Sequence, residues 1–492
     1  MKVLMVSSEV VPYAKTGGLA DVVGALPLAI HQLGVDVSII LPLYRGIEKK
    51  FPLERTGIKV RVPIAIEDRI VRKQGEVLRH RNDQGIDVYF IKKDEYYDRE
   101  YLYNMPEGDY PDNAPRFTFF SRGTLEFLRS RDTRPDIIHC HDWQSALIPV
   151  YLKTLYAEDP LLKGIKTALT IHNLGYQGVF WKWDMRLIGL DWSYFTPEYL
   201  EYYGRVNFLK GGLAFADALT TVSRAYAEEI QTQEYGHGLD GVLRSRRDRL
   251  FGILNGIDYS IWNPETDEKI PANFSASDPS GKAECKQALQ RALGLPEQPA
   301  VPIVASVSRL ADQKGFDLIA QGIEGIMNYD LQFVLLGTGE KRYHEMFEDI
   351  KRRYPDKAGI RIAYDDTLAH LIEAGADIFL MPSRYEPCGL NQMISLKYGT
   401  VPLVRATGGL DDTISNFVPE KGIGNGFKFK EYSSSALLEK VSEALSIYRS
   451  PKHWSRLIQN GMSEDHSWQA SAEKYLALYK SLVQGAGAGE GN

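Results

Sequence analysis

Cysteine is scarce. Three residues, Cys140, Cys285 and Cys388, are scattered over 492 positions, which excludes a disulfide framework and a cysteine-rich metal site. Reduced thiols in a cytoplasmic protein are the expectation. An excess of positive charge is missing too: 58 Lys and Arg stand against 64 Asp and Glu, a net of −6. That excludes a general nucleic-acid or membrane-surface binder, so an anionic ligand needs locally placed cations and backbone N–H groups. Nor does any apolar stretch reach the eighteen or so residues of a membrane span. The opening MKVLMVSSEVVPYAKTGG is interrupted by polar residues too early to read as a signal peptide.

What is present is an α/β rhythm. Short Val/Ile/Leu runs end in Gly-rich or polar turns and lead into amphipathic stretches: MKVLMVSSEV, VDVSIILPLY, IDVYFIKK, PDIIHCHDW, KTALTIHN and DALTTVS. Such runs, nearly continuous in apolar residues, predict parallel strands covered on both faces. A polar stretch with Pro264, Pro271, Ser275, Ser277, Pro279 and Ser280 interrupts the rhythm. It restarts with PIVASVSRL, LQFVLLGTGE, IRIAY, ADIFLMPSRYE and VPLVRATGG. The expectation is two doubly wound domains, 1–260 and 261–460, a closing helical segment at 461–485 and a disordered tail at 486–492.

Several turns carry chemistry. Thr16-Gly17-Gly18-Leu19-Ala20-Asp21 is echoed by Thr407-Gly408-Gly409-Leu410-Asp411-Asp412. Glycine pairs let backbone approach a ligand, and a following helix N-terminus favours anions. Two structural strand-to-helix turns would look the same. Lys15 precedes the first pair, and Arg309 and Lys314 frame the loop SRLADQKG. A planar fork and a point charge on one post-strand loop suit a diphosphate, although a solvated basic pair has the same spacing. His139, His141, Asp142 and His172 close two strands with the alternating spacing of strand faces, which suits contacts to a sugar, or a buried structural histidine, better than a metal site. Glu386 follows the strand ADIFL, and the amides of Cys388, Gly389 and Leu390 come next. A carboxylate there can bind hydroxyls, stabilise positive charge at a reacting carbon, or simply cap a helix. Cys388 reads as structural. The stretch VFWKWDMRLIGLDWSYF, 179–195, packs on the core or offers rings to a sugar.

Taken in order, the landmarks SSEVVPYAKTGGLADVVGALP, HCHDWQSAL, TIHNLGYQGVF, YGHGLDGVL, GILNGID, SRLADQKGFDLI and PSRYEPCGLNQMISLKYGTVPLVRATGGLDDTI resemble the bacterial and plant glycogen/starch synthases. The resemblance covers nearly the whole chain. It implies a retaining glycosyltransferase that moves glucose from ADP-glucose to an α-1,4-glucan such as glycogen. It also implies two Rossmann-like domains facing a deep cleft (the GT-B type), with a C-terminal helix crossing back to the first. By motif, Lys15 and Gly18 would lie by the donor diphosphate, and Arg309 and Lys314 would grip its phosphates. His172 and Asn173 would face the transferred glucose, with Glu386 near its anomeric carbon. The amides of Cys388, Gly389 and Leu390 would hold sugar hydroxyls, and Thr407, Gly408 and Gly409 would meet the distal phosphate. Asp21, Tyr97 and Asp142 would line the acceptor side. Neither a metal nor pyridoxal phosphate is expected, and neither nucleic acid nor membrane is an expected partner. A glucan phosphorylase with a cofactor-bearing lysine is the alternative enzyme, and an inactive glucan-binding protein the alternative outside enzymes. Oligomeric state and the identity of the base are not read from any residue.

Overall fold

The computed structural model describes residues 1–66, 69–105, 107–131 and 133–485; the tail expected at 486–492 lies outside them. The chain divides into two compact units. Among the described residues, one holds Met1–Val222, Ala227–Ile253 and the segment from Trp468 onward, the other Ser223–Tyr226 and Leu254–Ser467.

The first unit is built on a nine-stranded sheet. Lys2–Val6 pairs in parallel with Asp36–Pro42 on one side and Ile137–His141 on the other. Lys166–Ile171, Ala218–Thr221 and Leu250–Gly252 extend the second side in parallel. Asp87–Lys92 extends the first, followed by the antiparallel hairpin Glu54–Ile66/Arg69–Arg81 at the edge. The strand Lys2–Val6 is buried from Val3 to Val6. The helix Gly18–Gln32 places Leu19, Val22, Val23, Leu26 and Ile30 on one face, and all are buried. The helix Trp468–Gln484 packs against it, and the separate helix Pro451–Met462 belongs to the second unit.

The second unit has six parallel strands: Ala358–Ile362, Gln332–Gly337, Ile303–Val307, Ile378–Met381, Val401–Arg405 and Phe427–Phe429 in spatial order. By chain order this is 3-2-1-4-5-6, the arrangement of a doubly wound nucleotide-binding sheet. Both faces are covered. Val304, Phe333, Leu335, Ile378 and Leu380 enter one core, while Ile303, Ala305, Val334, Leu336 and Phe379 enter the other. Burial on both faces is why these strands are apolar at successive positions rather than alternate ones.

In each sheet the connections run outward in opposite directions from one pair of neighbours. These pairs are Lys2–Val6 with Ile137–His141, and Ile303–Val307 with Ile378–Met381. Loops leaving the carboxyl ends of such a pair diverge and leave a crevice, which is where open α/β sheets bind ligands. Among the described residues no helix is long and apolar enough to cross a membrane.

Candidate active site

Lys2–Val6 leads into the buried Ser7, Ser8 and Glu9. The Glu9 carboxylate accepts hydrogen bonds from the Thr16 N–H, the Thr16 hydroxyl at 2.7 Å, the Gly17 N–H at 3.2 Å and the Tyr103 hydroxyl at 2.7 Å. Glu9 thereby shapes the Lys15–Gly17 turn, a role that its sequence position did not reveal. Beyond the turn, Gly17 and Gly18 are open: a Cβ on either would meet nothing within 4 Å. No side chain caps the helix that starts at Gly18; the Ala20 N–H turns back to the Gly17 carbonyl, which leaves the Gly18 and Leu19 amides to face an anion. Lys15 is exposed and ion-paired to Asp21 at 2.6 Å.

At the neighbouring strand end Asp142 adopts φ 54°, a strained value for a residue with a side chain. Its carboxylate accepts the His172 N–H at 2.8 Å. Loss of solvation pushes its pKa up to about 7, against the pull of the His172 and Asn173 amides. Three histidines pack behind it. His141 Nδ1 lies 3.0 Å from His172 Nε2, and His139 bonds the Tyr479 hydroxyl at 2.7 Å and the Thr170 hydroxyl at 2.6 Å. Burial pushes His139 and His172 down to about 3 and His141 well below its ordinary value. All three are therefore neutral at physiological pH, and each can donate through only one ring nitrogen. Asn173 spends its side-chain oxygen on the Gly175 N–H at 3.0 Å.

These shifts make stability depend on pH. As pH falls from the ordinary histidine value of 6.5, the unfolded histidines take up protons that the folded ones refuse. Each costs about 1.4 kcal/mol per pH unit. Asp142, raised in the folded state, recovers stability as pH falls through about 7. Glu373, raised to about 8 by burial, acts in the same sense, and three histidines outweigh two carboxyls, so the melting temperature is expected to drop between pH 7 and pH 5. His139→Asn is expected to flatten that drop. A melting temperature that rises or stays level on acidification contradicts this account.

Tyr97 requires a correction. It is fully buried, and its hydroxyl donates to the Arg116 carbonyl at 2.9 Å. It packs the core and does not line an acceptor surface. Instead the first unit has a pocket of about 500 Å³ lined by Trp143, Tyr176, Gln177, Phe180, Tyr202 and His237, among others. The His237 carbonyl ties it together, accepting from Gln177 Nε2 at 3.1 Å and the Tyr202 hydroxyl at 2.7 Å. The GYQG and YGHG segments stood among the landmarks, but nothing in their spacing showed that they share one wall.

In the second unit Arg309 is exposed, with its guanidinium 3.2 Å from the Gln313 side-chain oxygen. Lys314 closes a single turn, Asp312–Lys314. Gly315 follows at φ +78° with its backbone against Pro382, where a Cβ would lie 2.0 Å from the carbonyl oxygen. That approach brings the Lys314 loop beside the loop leaving Ile378–Met381. The Lys314 ammonium donates to Glu386 Oε2 at 2.6 Å, and the Ser383 hydroxyl donates to the same oxygen at 3.1 Å. A cavity of about 60 Å³ opens there, its walls including Ser308, Lys314, Ser383, Glu386, Gly389 and Leu390. The thiol of Cys388 is buried and pushed up to about 12, so it is no nucleophile at neutral pH.

The second glycine pair differs from the first. A Cβ on Gly408 would lie 2.1 Å from the Glu386 carbonyl oxygen, and one on Gly409 1.9 Å from that of Cys388. The Gly409 N–H is spent on the Glu386 and Pro387 carbonyls. Gly409 therefore has no free amide to give a phosphate, and the close approach of both glycines seats the Glu386 loop. Thr407 is buried beside it. Tyr364, just past Ala358–Ile362, is 86% exposed. Among the described residues no group of three or more His, Cys, Asp or Glu side chains is arranged to hold a metal.

The comparisons with known proteins agree along the whole chain. Residues 2–245 match the family described as the starch synthase catalytic domain, and residues 287–462 match glycosyl transferases group 1. A glycogen synthase of Koribacter versatilis is 50% identical over 98% of this chain and 99% of its own. One of Syntrophotalea carbinolica is 47% identical over 98% and 99%. The catalytic domain of starch synthase IV from Arabidopsis thaliana, solved with ADP and acarbose, superposes with a TM-score of 0.87. It is 35% identical, with 98% of this chain and 99% of that one covered.

Proposed function

The chain belongs to the glycogen and starch synthase family, glucosyltransferases built on two Rossmann-like domains of the GT-B type, and on that premise we propose how it works. It transfers glucose from ADP-glucose to the non-reducing 4-hydroxyl of an α-1,4-glucan with retention of configuration. The observation that carries this reading is the Lys314–Glu386 pair at the switch point of the second unit's sheet. A cation and a carboxylate held together there match the two charges that develop when a glucosyl–phosphate bond breaks.

In this reading Lys314 and Arg309 neutralise the departing diphosphate, and Lys15 with the Gly18 helix N-terminus contributes to the same task. Glu386 stabilises the oxocarbenium-like carbon, and the Gly389 and Leu390 amides orient sugar hydroxyls. His172, held neutral, and Asn173 face the transferred glucose. Asp142 and Asp21 serve the sugar and acceptor side, and the Trp143–Tyr176–Phe180 pocket takes the glucan. Thr407, Gly408 and Gly409 act through the Glu386 loop. The bond from C1 to the phosphate oxygen breaks, and the bond from C1 to the acceptor O4 forms on the same face. The acceptor proton passes to the departing phosphate, and ADP leaves.

The choice of ADP rests on the Arabidopsis relative solved with it. Incubation with glycogen and either ADP-glucose or UDP-glucose, reading released nucleotide, tests this. ADP-glucose is expected to turn over at least about tenfold faster. Preference for UDP-glucose overturns the base assignment, and release from neither overturns the reaction.

A further inference from the structure

The reaction assigned to the site leaves one buried ring without a task. His141 ends the strand Ile137–His141, is fully buried, and stands one residue before the strained Asp142. Its backbone is fixed: the Ser145 hydroxyl accepts from the His141 N–H at 2.8 Å and donates to the His141 carbonyl at 2.8 Å. Its ring lies against that of His139, with centroids 4.2 Å apart. His141 Nδ1 then meets His172 Nε2 at 3.0 Å, while His141 Nε2 is buried with no hydrogen-bond partner among the described residues. Consecutive residues thus hold His172 at two points, His141 at the ring and Asp142 at the backbone N–H.

That arrangement decides where the protons lie. Each neutral imidazole carries one N–H. Were His172 Nε2 the donor, the proton of His141 would sit on its own Nε2, a buried N–H bonded to nothing. A buried donor left unpaired forfeits its hydration, and orphaned N–H groups are rarer in proteins than orphaned acceptors. The proton therefore sits on His141 Nδ1 and is donated to His172 Nε2. The bond made by one ring nitrogen sets the state of the other, so His172 carries its proton on Nδ1. No hydrogen bond occupies that atom among the described residues, and His172 is only half-buried. We propose that His141 is a positioning residue: by donating to His172 Nε2 it fixes the His172 tautomer, so that Nδ1–H is presented to a hydroxyl oxygen of the transferred glucose. The proposal rests on the placement of His172 against that sugar in the reading above. A neutral donor suits the task, because it holds a hydroxyl without adding positive charge beside a carbon that itself becomes positive. In the other tautomer Nδ1 would be an acceptor, and the hydroxyl would have to turn around to meet it.

Two substitutions set packing against hydrogen bonding. His141→Phe fills the volume of the ring but gives His172 Nε2 no donor. His141→Asn leaves a gap and places a side-chain amide where Nδ1 was. Glucosyl transfer is expected to lose about thirtyfold in kcat in the phenylalanine variant and only about threefold in the asparagine variant. ADP affinity, assigned to Lys314 and Arg309, should stay at the wild-type value in both. A purely structural role predicts the reverse order, since phenylalanine packs better. Full activity in His141→Phe, or an asparagine variant no better than the phenylalanine one, overturns the proposal. The tautomer itself is read on the wild-type protein, so the test does not depend on the variants folding. With histidine nitrogens isotopically labelled and His172 assigned through His172→Asn, the nitrogen spectrum is expected to show His172 protonated at Nδ1 and bare at Nε2. A proton on His172 Nε2 overturns the proposal. The spectrum is recorded without nucleotide sugar, so a protein that shows this tautomer yet transfers nothing refutes the reaction and not the His141–His172 hydrogen bond.

Discussion

Glu386→Ala is expected to lower kcat for glucosyl transfer about a thousandfold while leaving ADP affinity unchanged or tighter. The carboxylate is only 6% exposed, and both of its contacts, from Lys314 and Ser383, fall on Oε2. Oε1 can then meet positive charge at the anomeric carbon while Oε2 keeps its anchor. Removing it takes away a charge that matters most in the transition state, which is why the loss should fall on kcat. It also leaves the Lys314 ammonium without its counterion in a confined site. That ammonium should then attract a diphosphate at least as strongly as before. Glu386→Gln keeps the shape and removes the charge, and it is expected to lose nearly as much. Initial rates of ADP release and calorimetric titration with ADP read the two effects separately. Near-normal rates in either variant would remove Glu386 from the chemistry.

The sequence made the parallel strands legible for a physical reason: a strand covered on both faces needs apolar residues at successive positions. PIVASV and LQFVLLG therefore stand out without a structure. The hairpin Glu54–Ile66/Arg69–Arg81 did not. In Glu54–Ile66 the buried Val60, Val62 and Ile64 alternate with the exposed Lys59 and Arg61, as an edge strand must to avoid pairing with another chain. Such alternation among charges reads locally as a polar loop. Site residues divided in the same way. Lys314 and Glu386 could each be singled out as a charged residue after a strand. Their contact joins positions 72 residues apart and depends on the adjacency of Ile303–Val307 and Ile378–Met381. Glu9 was invisible because its partners are backbone amides, the Thr16 hydroxyl and a distant tyrosine hydroxyl. Tyr97 misled because a motif position carries no information about burial. The two glycine pairs misled in the opposite sense. Nearly the same local sequence gives an open helix start at Gly17–Gly18, whereas Gly408–Gly409 is pressed against another loop.

Lys314→Ala is expected to weaken ADP binding about a hundredfold and to raise KM for ADP-glucose by a similar factor, with a further loss in kcat. Two consequences follow from removing one ammonium. The diphosphate loses a cation, and the other one on that loop, Arg309, is exposed and therefore screened by water and salt. Glu386 loses the partner that orients it and becomes a nearly buried charge without a counterion, a costly state. The first consequence affects ground-state binding and the second affects the reacting carbon, so KM and kcat should both move, unlike in Glu386→Ala. Lys314→Arg restores the charge in a larger planar group, and it is expected to recover ADP affinity better than kcat, because the Glu386 geometry is not restored. Salt offers an independent check: wild-type affinity for ADP should fall with ionic strength more steeply than that of Lys314→Ala. In a double-mutant cycle the Lys314 and Glu386 losses in kcat should fall well short of additive, since each acts through the other. Unchanged ADP affinity in Lys314→Ala would take the diphosphate away from this lysine. Strict additivity would show that the 2.6 Å contact does not couple the two groups in the reaction.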